Sequence, residues 1–329
     1  MEPQTSTTPK QEKANSMVKS SVQGQEIEQN VMEEEWTNED GDNIFEEPFK
    51  KLQLSKIEGL FPNRAMNQSL VFESYSEKQM TPLDMTYSDI DSVNEFYDGT
   101  GSLVWLASIA FCHLVAQEKI PILYKTLRQQ KEEQLRICEL GCGCGLAGIA
   151  LLLSSSSTTH NSMVVFTDND SDALDLCLSN CELNDLSTNR YQHHLLSWGE
   201  SSKREKGEES LREASFHIIL ATDVVYDISM IHPLLQTASR LLKVGGHILL
   251  SHVPRFCLPR DENDTKKTNP QHDLEKHILE QMNLVGLQLV EMIRPHQVLS
   301  SPEKSSDDFQ VSLERLQEAH AVLFVARKQ

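Results

Sequence analysis

The sequence predicts an α/β domain built on a mostly parallel sheet with helices on both faces, preceded by an acidic extension. Three observations carry that reading. From about residue 99 onward, short apolar runs alternate with helical stretches. A glycine-rich stretch, "GCGCG" at 141–145, stands directly between one such run and a helix. Residues 1–62 are rich in Glu, Gln, Ser, Thr, Asn and Lys and show little periodicity. Strands that alternate with helical patterns mark βαβ units, because parallel neighbours need crossover connections.

The acidic segment comes first in the chain. The net charge is −19 over 329 residues, and the first hundred residues hold 20 acidic and 8 basic side chains. Such composition predicts a disordered tail over 1–62, with Ile44, Phe45 and Phe49 as apolar residues able to dock on a partner. The charge repels phosphate backbones, so no nucleic acid partner is expected. A basic protein surface is a better match, and a solvated tail with no partner is the equal alternative. The first residues carry no apolar signal core, and no apolar run approaches a membrane span, so neither secretion nor a membrane partner is expected. Seven cysteines, an odd number scattered through the chain, read as free thiols in a reducing compartment.

An N-terminal extension over 63–98 contains "SLVFESYS", a possible strand, and then acidic loop. The main domain spans 99–329. "TGSLVWLASIAFCHLVAQ" reads as a helix capped by Thr100 or Ser102. Seven strands are expected, at 135–140, 163–168, 191–198, 216–224, 246–253, 287–293 and 320–327. Helices fit at 170–183, 229–243 and 271–284. Surface loops are expected at the serine run after 153 and at 201–213, 258–272 and 300–308.

The glycine stretch has two registers. Gly143, Gly145 and Gly148 satisfy the dinucleotide pattern G-x-G-x-x-G. Glu139, Gly141, Gly143 and Gly145 satisfy E-x-G-x-G-x-G, the pattern of S-adenosylmethionine binders. The strand ends at Leu140, which makes Gly141 the first turn glycine and sets Glu139 at the strand end, facing the ligand. A carboxylate there suits a cationic amino-acid cofactor better than a pyrophosphate. Asp168, ending the next strand, can accept from ribose hydroxyls in either case; its alternative role is to cap the helix that follows. Cys142 and Cys144 have no second Cys/His pair at zinc spacing, and "CLSNC" at 177–181 is explained by small buried side chains, so no metal is expected.

Four stretches, "TGSLVW", "ICELGCGCGLAGIAL", "LLSWGE" and "ILATDVVYDISMIHPLLQTA", together resemble the family 16 seven-β-strand methyltransferases, a group of methyltransferase-like protein-lysine methyltransferases. The resemblance covers about 98–329. It implies a class I, Rossmann-like S-adenosylmethionine-dependent methyltransferase fold carrying the disordered acidic extension. It implies S-adenosyl-L-methionine as cofactor, with Trp105 at its pocket and the backbone of Gly141, Cys142 and Gly143 along its methionine part. Asp168 would hold the ribose, Trp198 would neighbour the adenine, and Thr222 would contact the cofactor just before the D-x-x-Y motif. Asp223 and Tyr226 form that motif on the substrate side. The two cysteines between the glycines, the long acidic N-terminus and the charged insert at 201–213 depart from the family pattern.

Each residue has a plainer alternative. Trp105 could be helix core, Trp198 packing at a strand end, and Asp223 with Tyr226 a strand-closing cap. His193 and His194, on a strand, read as structural. The expected reaction is transfer of a methyl group to a lysine of a protein substrate, with Asp223 orienting the ammonium and Tyr226 offering an aromatic wall. Histidine methylation in a protein is the second reading. A methyltransferase fold that only binds partners is a third, disfavoured because a scaffold has no need of Glu139, the glycines, Asp168 and Asp223. A nicotinamide oxidoreductase is a fourth, weakened by Glu139 and "DVVY". We expect a monomer, in the cytoplasm and also the nucleus.

Overall fold

The computed structural model describes residues 13–22, 25–34, 52–59, 70–77, 99–129, 134–154, 162–199, 211–254, 270–300 and 312–329. Two small sheets occupy the N-terminal part. β1 (Lys13–Val22) and β2 (Gln25–Glu34) pair as an antiparallel hairpin, and β3 (Leu52–Gly59) pairs with β4 (Leu70–Glu77). The rest of the expected tail, with Ile44, Phe45 and Phe49, and most of the 63–98 extension lie outside the described residues. So do Cys257 and nearly all of the four expected loops.

The main sheet has seven strands: β5 (Leu135–Leu140), β6 (Ser162–Asp168), β7 (Tyr191–Leu195), β8 (Phe216–Thr222), β9 (Leu242–His252), β10 (Leu287–Ile293) and β11 (Val322–Lys328). Their order is β10-β11-β9-β8-β5-β6-β7. The five strands from β9 to β7 are parallel, and β11 runs antiparallel to both β9 and β10. This is the class I, Rossmann-like seven-strand order. All seven expected strands are present, each within a few residues of its expected bounds.

Near-continuous apolar runs in β5, β6 and β8 follow from burial on both faces. Alternate side chains feed two cores. Ile137, Val164, Phe166, Ile218 and Leu220 face one core, which is completed by α1 (Leu106–Ala116), α2 (Pro121–Gln129), α3 (Leu146–Leu153) and α4 (Ser171–Leu183). Cys138, Leu140, Val165, Ile219 and Ala221 face the other, completed by α5 (Ile228–Leu241) and α6 (Pro270–Leu284). Two short helices, α7 (Pro295–Val298) and α8 (Leu313–Glu318), join the last strands. α3, "LAGIALLL", is apolar all round and buried along its whole length, as such a helix must be.

Two expected bounds are corrected. The first helix does not open at Thr100 or Ser102. Gly99–Ser102 form a 3-10 turn, and α1 begins only after Trp105. Trp105 has no cap-forming oxygen, and the local serine and threonine are not used; the cap comes from a residue far along the chain. The helix expected over 229–243 stops at Leu241, because Leu242 turns extended and starts β9 at once.

Chain order reverses about β5. From it the chain winds outward through β6 and β7, then returns to lay β8 on its other side. Ligands of open α/β sheets bind at the carboxyl ends of strands beside such a reversal. α3 packs hard against β5 and β6 there. A Cβ on Gly148, inside α3, would stand 2.5 Å from both Glu139 Oε2 and Phe166 Cε1. We predict that Gly148→Ala destabilises the protein by about 1–3 kcal/mol, since overpacking outweighs the helix propensity gained. Urea unfolding of the two proteins measures this; equal midpoints would contradict it.

Candidate active site

A cleft of about 370 Å³ opens at the carboxyl ends of β5, β6 and β8. That lies at the lower end of the range for small-molecule and cofactor sites, roughly 300–1,000 Å³. Nine of the ten residues singled out in the sequence line it: Trp105, Gly141, Cys142, Gly143, Asp168, Trp198, Thr222, Asp223 and Tyr226. Ser108, Asn169 and Asp170 line it as well and were not anticipated. Only the position of Ser108, one helical turn after Trp105, could have signalled it.

The glycine register is that of E-x-G-x-G-x-G. Gly141, Gly143 and Gly145 have φ of +63°, +50° and +88°. At Gly143 the need for glycine is also steric: a Cβ would lie 2.6 Å from the Gly101 carbonyl oxygen. The segment leading into α1 therefore lies directly on the loop, with the Cys144 thiol donating to the Leu103 carbonyl at 3.5 Å. The Trp198 ring and Val224 close over Gly141 from the other side. The Gly199 N–H donates to Thr237 on α5, which holds the turn that carries Trp198.

Asp168 is buried, and its carboxylate already serves the loop. Oδ2 accepts from the Gly143 N–H at 2.8 Å and Oδ1 from the Asp170 N–H at 3.2 Å. Burial raises its pKa, and those backbone donors partly offset the rise. It does not cap α4; Asp170 does, accepting from the Asp172 N–H at 2.9 Å. A carboxylate has acceptor capacity beyond two bonds, so Asp168 can still receive a ligand hydroxyl from the cleft.

Glu139 is the exception among the expected site residues. It is fully buried and is not among the residues lining the cleft. Its side chain points under α3, where Oε2 accepts from the Gly148 N–H at 3.0 Å. Alternation along β5 explains this: the strand end is in the right place, but the side chain projects toward the helix instead of the ligand. The expectation that Glu139 faces a cationic cofactor is thus corrected. Burial pushes its carboxyl up to about 8.

Asp223 directly follows β8 and sits in the left-handed region at φ +61°. That costs a non-glycine residue about 1–2 kcal/mol, least for Asp and Asn. Its Oδ2 accepts from the Ala107 N–H at 3.0 Å, across 116 residues. Asp223 therefore supplies the missing cap of α1. Two further bonds fix the same helical turn: Ser108 Oγ with Thr222 Oγ1 at 2.9 Å, and Ser251 Oγ donating to the Ala107 carbonyl at 2.8 Å. The capping alternative for Asp223 is correct in kind, although the capped element is α1. Tyr226 stands at the cleft mouth, 42% exposed.

Glu139, Asp168 and Asp223 each anchor backbone. Their presence is therefore no argument against a fold that merely binds, as the sequence alone had suggested. The cysteines are likewise packing residues here. All six in the described residues are free and buried, and burial lifts the Cys142 thiol to about 11, far from a reactive thiolate. Among the described residues no three His, Cys, Asp or Glu side chains gather as a metal-ligand group.

The cleft matches S-adenosylmethionine in its chemistry. An indole at Trp198 offers a face to a base, the Asp168 and Asp170 carboxylates offer acceptors to sugar hydroxyls, and the bare backbone of Gly141–Gly143 permits close approach. The sequence profile of the family described as lysine methyltransferase matches residues 85–276. Among curated proteins, the protein-lysine N-methyltransferase EFM6 of Saccharomyces cerevisiae is 28% identical over 141 residues, 42% of this chain and 56% of that protein. The histidine protein methyltransferase 1 homolog of Dictyostelium discoideum is 26% identical over 164 residues, 49% and 45% of the two chains. The chain thus spans about half the length of the curated relatives it matches. Among solved structures, geranyl diphosphate C-methyltransferase from Streptomyces coelicolor superposes with a TM-score of 0.40 and 11% identity, over 66% of this chain and 83% of that one.

The Glu139 carboxyl makes stability depend on pH with a definite sign. Its ordinary value near 4.5 holds in the unfolded chain, against about 8 when folded. Its contribution is complete below the lower value and is lost as pH rises toward the upper one, because the unfolded chain ionises first. Glu139→Gln should abolish that loss, so the melting temperature of the variant relative to the parent should rise between pH 5 and pH 8. A constant difference across that window would show that Glu139 is ionised when buried.

Proposed function

Because this chain belongs to the lysine methyltransferase family, we propose that it transfers a methyl group from S-adenosyl-L-methionine to a lysine side chain of a protein substrate. The observation that supports this best is convergence: Asp223 and Tyr226 stand in the same cleft as the glycine loop, Asp168 and Trp198. The cofactor, when bound, supplies a methyl carbon made electrophilic by its sulfonium. Trp198, Asp168 and the backbone of Gly141–Gly143 would hold it.

What remains for the chain is to present the acceptor. A lysine amine has a reference pKa of about 10.4 and arrives as an ammonium. The Asp223 carboxylate attracts that cation, and the Tyr226 ring offers a face along which it can lie. Asp223 cannot swing away, since Oδ2 is tied to the Ala107 N–H. The acceptor is therefore aligned against a fixed charge, and its proton leaves to water at the open mouth. Alignment of this kind lowers the barrier by removing the entropy of a bimolecular encounter. An acceptor histidine would fit the same frame, and the name of the Dictyostelium relative makes it the second reading. A substrate with a basic surface suits the acidic chain, and a cytoplasmic and nuclear setting is part of the proposal.

Incubation of the purified chain with labelled cofactor and cell extract, followed by acid hydrolysis, tests the acceptor. Methyl-lysine is expected; methylhistidine in its place would transfer the reading to the second acceptor. Two substitutions separate the roles of Asp223. Asp223→Ala removes the cap of α1 and should lower the melting temperature along with activity. Asn in its place can still accept from Ala107, so Asp223→Asn should keep the fold and cofactor affinity while transfer falls roughly 30- to 1000-fold, or about 2–4 kcal/mol. Single-turnover methylation at the parent rate in Asp223→Asn would sink the assignment of its charge.

A further inference from the structure

Glu139 has no part in the chemistry proposed above, yet it lies fully buried beneath the glycine loop. Its Oε2 accepts from the Gly148 N–H, whereas Oε1 is buried with no hydrogen-bond partner among the described residues. A carboxylate in that place would hold half its charge on an oxygen with nothing to solvate it, and a protonated carboxyl avoids the cost. Its ladder neighbours, Phe166 of β6 and Leu220 of β8, are apolar, and α3 carries no titratable side chain. The groups that act on it electrostatically are thiols and one carboxylate: Cys138 from β5 itself, Cys112 from α1, Cys142 and Cys144 from the glycine loop, and Asp168 from β6. No basic side chain is among them.

Glu139 is shielded from solvent but not from the cleft. It precedes Gly141 by two residues, about 7 Å of extended chain. Asp168 lines the cleft, and its charge adds to the rise that burial imposes on the Glu139 carboxyl. A charge in the cleft is therefore felt at Glu139, and a positive one acts with the opposite sign to Asp168. The methyl donor and the demethylated product, S-adenosylhomocysteine, have nearly the same shape and differ by one such charge: the donor is a sulfonium, the product a neutral thioether.

We propose that Glu139 lets the chain tell donor from product by charge: it sheds its proton to solvent when the sulfonium binds in the cleft and keeps it when the thioether binds. This rests on the cofactor named above and not on the acceptor. The sign follows from linkage. Ionised Glu139 attracts the sulfonium, so affinity for S-adenosylmethionine gains as pH rises through about 8, and affinity for S-adenosylhomocysteine has no such gain.

Calorimetric titration of the full chain with each ligand, in two buffers of different ionisation enthalpy, counts the protons released. The α-amino groups of both ligands themselves titrate at about 8, so Glu139→Gln is the reference; its amide oxygen can still accept from the Gly148 N–H. At pH 7.5 the parent should release more protons than the variant on binding S-adenosylmethionine, and the two should agree for S-adenosylhomocysteine. Between pH 6.5 and 8.5 the preference for S-adenosylmethionine should rise about three- to tenfold more in the parent than in the variant. Difference infrared spectroscopy of the parent gives a readout that does not depend on the variant: S-adenosylmethionine should remove the carbonyl band of a protonated carboxyl, and S-adenosylhomocysteine should leave it. Equal proton release and equal pH dependence in parent and variant, or a carboxyl band that S-adenosylmethionine leaves in place, would overturn this inference alone. Failure of the parent to bind S-adenosylmethionine at all would overturn the cofactor reading along with it.

Discussion

At the carboxyl edge of the sheet, carboxylates buried at strand ends accept backbone N–H groups, and the site rests on that contact. Glu139 at the end of β5 holds the Gly148 N–H of α3. Asp168 at the end of β6 holds the Gly143 N–H of the loop. Asp223 just past β8 holds the Ala107 N–H of α1. Each bond joins a strand to the start of the next layer, and a buried N–H left without such an acceptor would be costly. The cleft is the space these three anchors leave between them. Its walls are set by backbone, and its side chains are carried on segments that have little freedom to move.

The sheet was legible in the sequence because its strands are buried on both faces and so stand out as apolar runs separated by polar stretches. Their order was legible only through the resemblance, since alternation alone does not say which strand lies beside which. What failed did so where distant residues replaced local signals. Thr100 and Ser102 look like helix caps, yet the oxygen that caps α1 comes from Asp223. Glu139 occupies the expected place on its strand, but pleating turns its side chain to the helix layer. α7 and α8 are too short for their periodicity to show. Of the site, the backbone features and the four motif stretches could be read, whereas Asn169 and Asp170 entered it through the fold.

The two ends of the sheet differ in electrostatic character. The cleft gathers the Asp168, Asp170 and Asp223 carboxylates beside the aromatic faces of Trp105, Trp198 and Tyr226, an arrangement suited to cations. At the opposite end, where β8 starts, a second cavity gathers Lys125, Lys243 and Arg327 with two histidines. Both depend on local departures from ideal geometry: a left-handed Asp223 at one end and a register shift between β8 and β9 at the other. Backbone in such conformations persists where surrounding structure fixes it.

The double duty of Asp223 bears on how such a chain can decay. A copy released from selection for methyl transfer would still need an oxygen beside Ala107 to keep α1 in place. Aspartate, or at least asparagine, would therefore persist by reason of folding alone. Tyr226, 42% exposed at the mouth, is far less buried than Asp223 and would drift sooner. In a lineage of such chains, then, loss of the tyrosine would be the earlier mark of a retired enzyme, and survival of the aspartate would say nothing about whether it still works.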